Sequence, residues 1–551
     1  MRKISLLFRL LRDTIFNYLH KKSLINKGES LMKKLSALFL SLILAIGTLT
    51  ACGSNANEPL TAELIDIELT LEQYAFGVDK NQPQLLEDVN EFIAQIKEDG
   101  TLDAICEKYF GNGTPEAVTS AELDTTKDQL VVATNAAFEP FEYTDGGTNF
   151  YGIDMEIAAL LAEELDMELV IQNMDFDAVC LAVGQQKCDI AMAGLTISED
   201  RKEYVTFSDS YYDACQTLIV TSDCTEFDNC TDAASIEAIL NAKDNSCKIG
   251  VQNGTTGQLY CEGDEDWGFV GFPADTIGYK NGSLAVQDLL NGNIDYVIID
   301  YAPALCIVEE INKTQSGDFS LKVEQFIKIF VEQNGYVKVL EGLKNTILIA
   351  VTGLVIGILI GTLIATVNVI PKYKTLPRIL NSLCSFYVSL FRGTPIVVQL
   401  LIFYYVLLPM LGFRMTGVEV SMLVFGLNSA AYISEIMRSG ILSVDGGQME
   451  AGRAMGLSFG TTMIKIVIPQ AIKNILPTLG NEFIALVKET SVVSFVGATD
   501  LYVAFNLIGT NSYEFMVPYI VMALIYIVLV LLISLGIKLM ERSLRKSDRR
   551  N

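Results

Sequence analysis

Histidine is almost missing: of 551 residues, only His20 is one. It stands ahead of an apolar leader, so the rest of the chain has no histidine triad and no histidine metal site. No GxxxxGK[ST] phosphate loop occurs either, so the chain lacks the means to hydrolyse ATP by itself. Positive charge is scarce over a long stretch. Residues 53–330 hold 52 Asp and Glu against 13 Lys and Arg, a net of −39, while the remainder holds 14 acids against 27 bases. The acidic stretch offers no basic face to nucleic acid. Joined to basic, apolar portions, it reads as the large water-facing domain of a membrane protein.

Residues 32–52, "MKKLSALFLSLILAIGTLTAC", have a basic start, an apolar run and small residues before a cysteine. That is a secretory signal pattern. Its ending, Leu49-Thr50-Ala51-Cys52, resembles a bacterial lipobox, which implies lipidation of Cys52; the alternative is an uncleaved anchor. Met32 competes with Met1 as the start. Setting aside Cys52 and the intramembrane Cys384, nine of the eleven cysteines fall in the external domain. An odd number forbids complete internal pairing, and Cys224 and Cys230 either close a loop or remain thiols.

From Leu130 onward, strands and helices alternate. "LVVATN", "ELVIQNM", "CDIAMAGLT", "CKIGVQNGTTG" and "IDYVIID" read as strands. "GIDMEIAALLAEELDM" reads as an amphipathic helix with Ile153, Ile157, Leu160 and Leu161 inward. The expectation is an α/β domain with parallel sheets, its ligand at the carboxyl ends of the strands.

The motifs "ATNAAFEPFEY" (133–143), "GIDMEIAALLAEEL" (152–165), "MDFDA" (174–178), "DIAMAGLTISEDRKEYVTFSDSYY" (189–212) and "DYVIID" (295–300) together resemble the extracytoplasmic amino-acid-binding proteins of ATP-driven importers. The resemblance implies a type II, two-lobed, periplasmic-binding-protein-like domain over 129–325. A guanidinium at Arg201 suits an α-carboxylate, which it grips with two parallel hydrogen bonds. Asp300, ending an apolar strand, suits an α-ammonium. By resemblance, Phe138 and Phe176 sandwich the ligand side chain, and Gly194, Thr196 and Thr255 offer backbone and hydroxyl partners. Asn135 joins the implied site, although acidic or small residues are common there; Gln252 and Ile299 also depart from glutamine binders, which leaves side-chain preference open.

Proteins of this family end with a strand, a proline-started helix and a short final helix. Here that ending stands in front. "EQYAFGV" is the strand, "QPQLLEDVNEFIAQIKEDG" has Pro83 at its start and Leu86, Val89, Ile93 and Ile96 on one face, and "TLDAICEKYFGNG" closes the module. After Asp300 the module is missing. The domain therefore reads as circularly permuted, with 52–66 a tether, 67–128 the moved module plus linker, and 1–51 extension and signal. The alternative is a remnant of a tandem copy, which leaves the surviving copy without its last elements.

Apolar segments near 345–370, 383–411, 418–437, 475–498 and 513–537 suit five membrane spans. Lys372, Lys374, Arg378, the 438–473 loop and the tail then all lie inside, as basic loops do. Gly353, Gly357 and Gly361 make a small-residue face. "FRGTPIVVQL", "GGQMEAGRAMGLSFGTTMIKIVIPQA" and "LPTLGNEFIALVKETSVVS" resemble the polar-amino-acid permeases of ATP-binding-cassette importers, the histidine/glutamine permease family. By that resemblance, 326–551 is an all-α permease domain. Glu450, Ala451 and Gly456 mark its ATPase-coupling loop, with Gly452 where alanine is usual.

The implied function is capture of a polar, glutamine-like L-amino acid outside the cell membrane and its passage inward. The implied partners are a separate ATPase dimer and a second permease copy, with no cofactor, metal or catalytic residue. A ligand-gated channel or receptor on the same lobes is the alternative, though a TVGYG pore loop is missing. An enzyme on the fold is a third, without evident paired catalytic carboxylates.

Overall fold

The computed structural model describes residues 60–548, apart from 112, 125, 145–148, 316–318, 370–374 and 414. The signal, Cys52, Lys372 and Lys374 lie outside the described residues.

Two five-stranded sheets build the external part. The first runs in the order Val205–Phe207, Gly77–Asp79, Ile190–Ala191, Gln129–Thr134, Glu168–Asn173. The second runs Ala62–Ile65, Gln216–Thr221, Tyr296–Asp300, Lys248–Gln252, Asp275–Tyr279. Both are mixed rather than parallel. Gln129–Thr134 is parallel to its two neighbours, but Gly77–Asp79 opposes both of its own. In the second sheet, Gln216–Thr221 opposes Ala62–Ile65 and Tyr296–Asp300. The antiparallel members enter from the N-terminal module or directly from the other lobe, with no crossover helix to align them.

Ala62–Ile65 also shortens the expected tether, because the edge of the second sheet begins inside it. The expected single strand over "EQYAFGV" is two. Glu72–Tyr74 pairs antiparallel with Tyr212–Ala214, and Gly77–Asp79 continues into the first sheet. The paired strands are the two passages between lobes.

Helix Pro83–Glu98 starts on its proline, whose missing N–H is not needed in a first turn. It buries Leu85, Val89, Phe92, Ile93 and Ile96, while Leu86 is half-buried. Val89, Ile93 and Ile96 are buried as expected and Leu85 takes the place of Leu86, because Leu85, Val89, Phe92 and Ile96 follow the helical repeat more closely. Gly100, at φ +82°, ends that helix in a conformation that disfavours side chains. Helix Thr101–Phe110 then buries Leu102 and Ile105. All of these share one core with Leu130, Val132, Ile157, Leu161 and Ile190. In helix Ile153–Glu164, Leu160 is 36% exposed, at the edge of the Ile153/Ile157/Leu161 stripe.

Beyond Ile327 most of the described residues are helical. Among the described residues, three helices are long and apolar enough to cross a membrane: Gly335–Val369, Gly417–Leu442 and Met516–Ser543. Two bent pairs, broken between Gly393 and Ile396 and between Val496 and Leu501, raise the number to five if each pair is one span. The small-residue face packs as expected. A Cβ on Gly353 would meet Phe425, one on Gly357 would meet Ser429 and Ile433, and one on Gly361 would meet the Ala430 carbonyl at 3.0 Å. Helices Gly335–Val369 and Gly417–Leu442 thus approach backbone to backbone, which dispersion favours in lipid.

Truncating the Pro83–Glu98 helix tests its place in the core. Ile93→Ala is expected to lower the binding domain's unfolding free energy by about 2–5 kcal/mol, and Leu86→Ala by clearly less. Denaturant melting of the solubilised chain decides; equal losses would contradict the packing.

Candidate functional site

The chain's two passages between lobes place polar groups where the sheets meet. Glu72 is buried and accepts from Thr70 Oγ1 at 2.6 Å, Gln216 Nε2 at 3.0 Å and Thr196 Oγ1 at 2.8 Å. Tyr74, fully buried, donates its hydroxyl to Asp300 Oδ1 at 2.5 Å. Strand Tyr296–Asp300 ends there, so Asp300 sits at a carboxyl end, as the α/β rule requires.

On the first lobe, Ser198 caps the short helix Glu199–Lys202 that carries Arg201. The guanidinium donates from Nη1 to the Thr196 carbonyl at 2.7 Å and from Nη2 to the Gly254 carbonyl of the second lobe at 2.9 Å. It also lies 5.1 Å from the Phe176 ring centre. Its partners are carbonyl oxygens, so its charge is not neutralised by a carboxylate. Gly194, at φ +53°, brings its backbone against Phe138 and Tyr74; a Cβ there would stand 2.9 Å from Phe138 Cε1. Its N–H donates to Asp154 Oδ2 at 2.9 Å, and Asp154 Oδ1 takes the Tyr211 hydroxyl.

The structure thus brings together Phe138, Phe176, Gly194, Thr196, Arg201 and Asp300. Thr255 is adjacent but turns its hydroxyl onto the Gln252 carbonyl at 2.8 Å. Asn135 stands apart: it donates to the Met174 carbonyl at 2.6 Å and lines a small cavity shared with Lys280 and Ser494. Sequence reasoning missed Glu72, Tyr74, Glu142, Asp154 and Gln216. Glu142 and Asp154 lie inside the quoted motifs, as carboxylates among residues that read as core.

Electrostatically the site is one-sided. Glu72, Glu142, Asp154 and Asp300 are all buried. Both carboxyl oxygens of Glu142 lack a hydrogen-bond partner. Burial, then the charges of Asp154 and Asp300, push its carboxyl well above the usual range. Burial raises Asp154 to about 7 against the pull of Gly194 N–H and Tyr211. Asp300 is raised by burial and then by Glu72. A cationic group entering here meets buried acids that lack counter-ions, and its charge favours their ionised form.

In the membrane half, Asp445 caps helix Gly446–Ala454, which exposes Glu450 and Ala451. Gly456, at φ +84°, breaks the chain's direction after it. Gly452 is buried, and a Cβ there would lie 2.4 Å from Thr462 Cγ2, so alanine would not fit without movement.

The family "Bacterial extracellular solute-binding proteins, family 3" matches residues 12–112 and 130–379. "Binding-protein-dependent transport system inner membrane component" matches residues 353–546. The chain is 40% identical over 210 residues to the arginine transport system permease protein ArtQ of Bacillus subtilis, covering 38% of this chain and 94% of that one. It is 38% identical over 202 residues to the putative glutamine transport system permease protein GlnP of Rickettsia bellii, covering 37% and 88%. Among solved structures, one titled as an amino acid ABC transporter with histidines is 37% identical over 39% of this chain and 98% of that one, at a TM-score of 0.36. A mutant of ArgBP from T. maritima is 29% identical over 33% and 72%, at 0.27.

The chain belongs to the family 3 extracellular solute-binding proteins, and its membrane half to the inner membrane components of binding-protein-dependent transport systems. It is a fused solute-binding and permease chain of an importer, held in the membrane with its binding domain outside, and the ligand-gated channel is not favoured.

The buried acids set a pH dependence. Groups whose folded pKa is raised bind protons that the unfolded chain has released, so their contribution is full below about pH 4 and lost as pH rises toward 7. The cargo-free chain is expected to melt at lower temperature at pH 8 than at pH 5, with Asp154→Asn flattening the slope. Fluorimetric melting at constant ionic strength measures it; an unchanged slope in the variant would refute the assignment.

Proposed function

We propose that the chain captures a polar L-amino acid between its lobes and passes it through its own membrane half. The observation that carries this reading is that the Tyr74–Thr196 bridge joins two charged groups: Tyr74 donates to the buried Asp300 carboxyl, and the Thr196 carbonyl accepts from the Arg201 guanidinium, whose partners are carbonyls. A zwitterion answers both charges at once: its α-carboxylate to Arg201, its α-ammonium to Asp300. Phe138 and Phe176 flank its side chain, Gly194 and Thr196 complete the carboxylate's shell, and Thr255 borders it, with Asn135 set apart. Relatives named for arginine and glutamine transport support the cargo class.

The energy comes from a separate ATPase dimer. The exposed helix with Glu450 and Ala451, broken at Gly456, lies across that partner and transmits its closure. One permease per chain implies two copies around one path, and Cys52 is the lipidated end of the external part. Residues 67–128 are the displaced C-terminal module of a circularly permuted domain. Supporting this, Gly77–Asp79 fills the interior of the first sheet, and without it Val205–Phe207 loses its neighbour. A tandem remnant has no reason to sit there.

Arg201→Ala is expected to weaken binding by roughly 100-fold or more, since two charge-assisted hydrogen bonds to a desolvated carboxylate are lost. Titration calorimetry with L-glutamine and L-arginine measures it, and unchanged affinity in the folded variant would refute the grip. Glu450→Ala is expected to reduce uptake in reconstituted vesicles containing the ATPase while leaving affinity unchanged; normal uptake would remove the coupling role.

A further inference from the structure

Lys280 lies where three bodies meet. It belongs to the second lobe, between strand Asp275–Tyr279 and helix Gly282–Leu290. Its ammonium is 2.9 Å from Asp175 Oδ2 on the first lobe. The same ammonium is 3.4 Å from Ser494 Oγ and 4.9 Å from the Phe495 ring centre. Both belong to the 3-10 segment Thr490–Val496 of the membrane half.

The backbone beneath it is held. Asn281 is buried, and its Oδ1 accepts the Leu284 N–H, capping the following helix. Its Nδ2 donates across to Thr510 Oγ1 at 3.1 Å. Lobe two therefore meets the membrane half through a capped turn rather than a loose loop. Lobe one meets it elsewhere, where Lys187 donates to the Tyr404 carbonyl at 2.7 Å and Tyr513 donates to Glu139 Oε2 at 2.7 Å.

We infer that Lys280 is a coincidence contact, engaging Ser494 and Phe495 only while Asp175 holds it from the opposite lobe, so that the membrane half recognises the closed form of its own binding domain. A lysine side chain gives up much rotamer freedom when fixed. A half-exposed ion pair alone, or one exposed cation–π contact with a long hydroxyl contact, is too weak to offset that reliably. Together they are sufficient, and the sum exists only when both lobes and the membrane half are in place. Opening the lobes withdraws Asp175, and the ammonium returns to water. Lys280 is a positioning residue: it reports closure without touching cargo. The inference rests on the reading that the lobes close on a solute.

Hydrogen exchange of the full-length chain in lipid nanodiscs tests it. Peptides covering 490–512 are expected to exchange at least tenfold faster in Lys280→Ala, and nearly as fast in Asp175→Asn, although the ion pair of Asp175 is made within the binding domain. Lys280→Arg is expected to restore most of the protection. Unchanged protection in Asp175→Asn overturns the coincidence, and unchanged protection in Lys280→Ala overturns the contact itself. Exchange in Gly335–Val369 and Gln129–Thr134 reports folding; if Lys280→Ala unfolds, Lys280→Met keeps the aliphatic stem and the same readings apply. Millimolar L-arginine and L-glutamine serve as probes: either one that binds is expected to deepen protection over 490–512 in the native chain and not in Asp175→Asn. If neither binds the native chain, the amino-acid reading fails, while the probe-free comparison of Asp175→Asn with the native chain still decides the contact.

Discussion

The antiparallel pairing of Glu72–Tyr74 with Tyr212–Ala214 is the constraint on which the external half depends. These two strands carry the chain between lobes, so their register sets how the lobes meet. Tyr74 opposite Tyr212 points the Tyr74 hydroxyl at Asp300, and Glu72 opposite Ala214 gathers Thr70, Thr196 and Gln216. A slip by one residue would reverse every side chain and dissolve both networks. The first thirty described residues are thus as much a part of the binding cleft as the strands that follow Leu130.

The consequence is a cleft rich in buried acid. Glu72 is satisfied by three donors and Asp300 by a tyrosine, but Glu142 has none. Unpartnered buried charge is costly, and proteins retain it where a ligand or a proton completes it. The only described guanidinium at the site spends its donors on carbonyls.

In lipid the same accounting takes another form. Glycines bring Gly335–Val369 against Gly417–Leu442, and several polar side chains between spans are paired. Asn428 donates to Gln399 Oε1 at 3.0 Å, and Gln399 donates to the Phe391 and Thr394 carbonyls where the chain bends before Pro395. The bend frees backbone carbonyls, and a side-chain amide satisfies them. This half turns irregular over 490–500, where the binding domain rests on it.

Much of this was legible in the order of residues. The acidic and basic halves, the Pro83-started helix and the membrane segments follow from local chemistry: propensity, periodicity and solvation act within a few residues of each other. The sheet direction, the exposure of Leu160, the split of "EQYAFGV" and the set-aside position of Asn135 did not. Nor did the convergence of Glu72, Tyr74 and Glu142 on Asp300, since Tyr74 and Asp300 are 226 positions apart. Composition and spacing determined what kinds of elements this chain makes and which solvent each half faces. Only the tertiary structure decided which carboxylates share a cleft and which lysine joins three bodies, because burial and charge coupling depend on distance in space rather than along the chain.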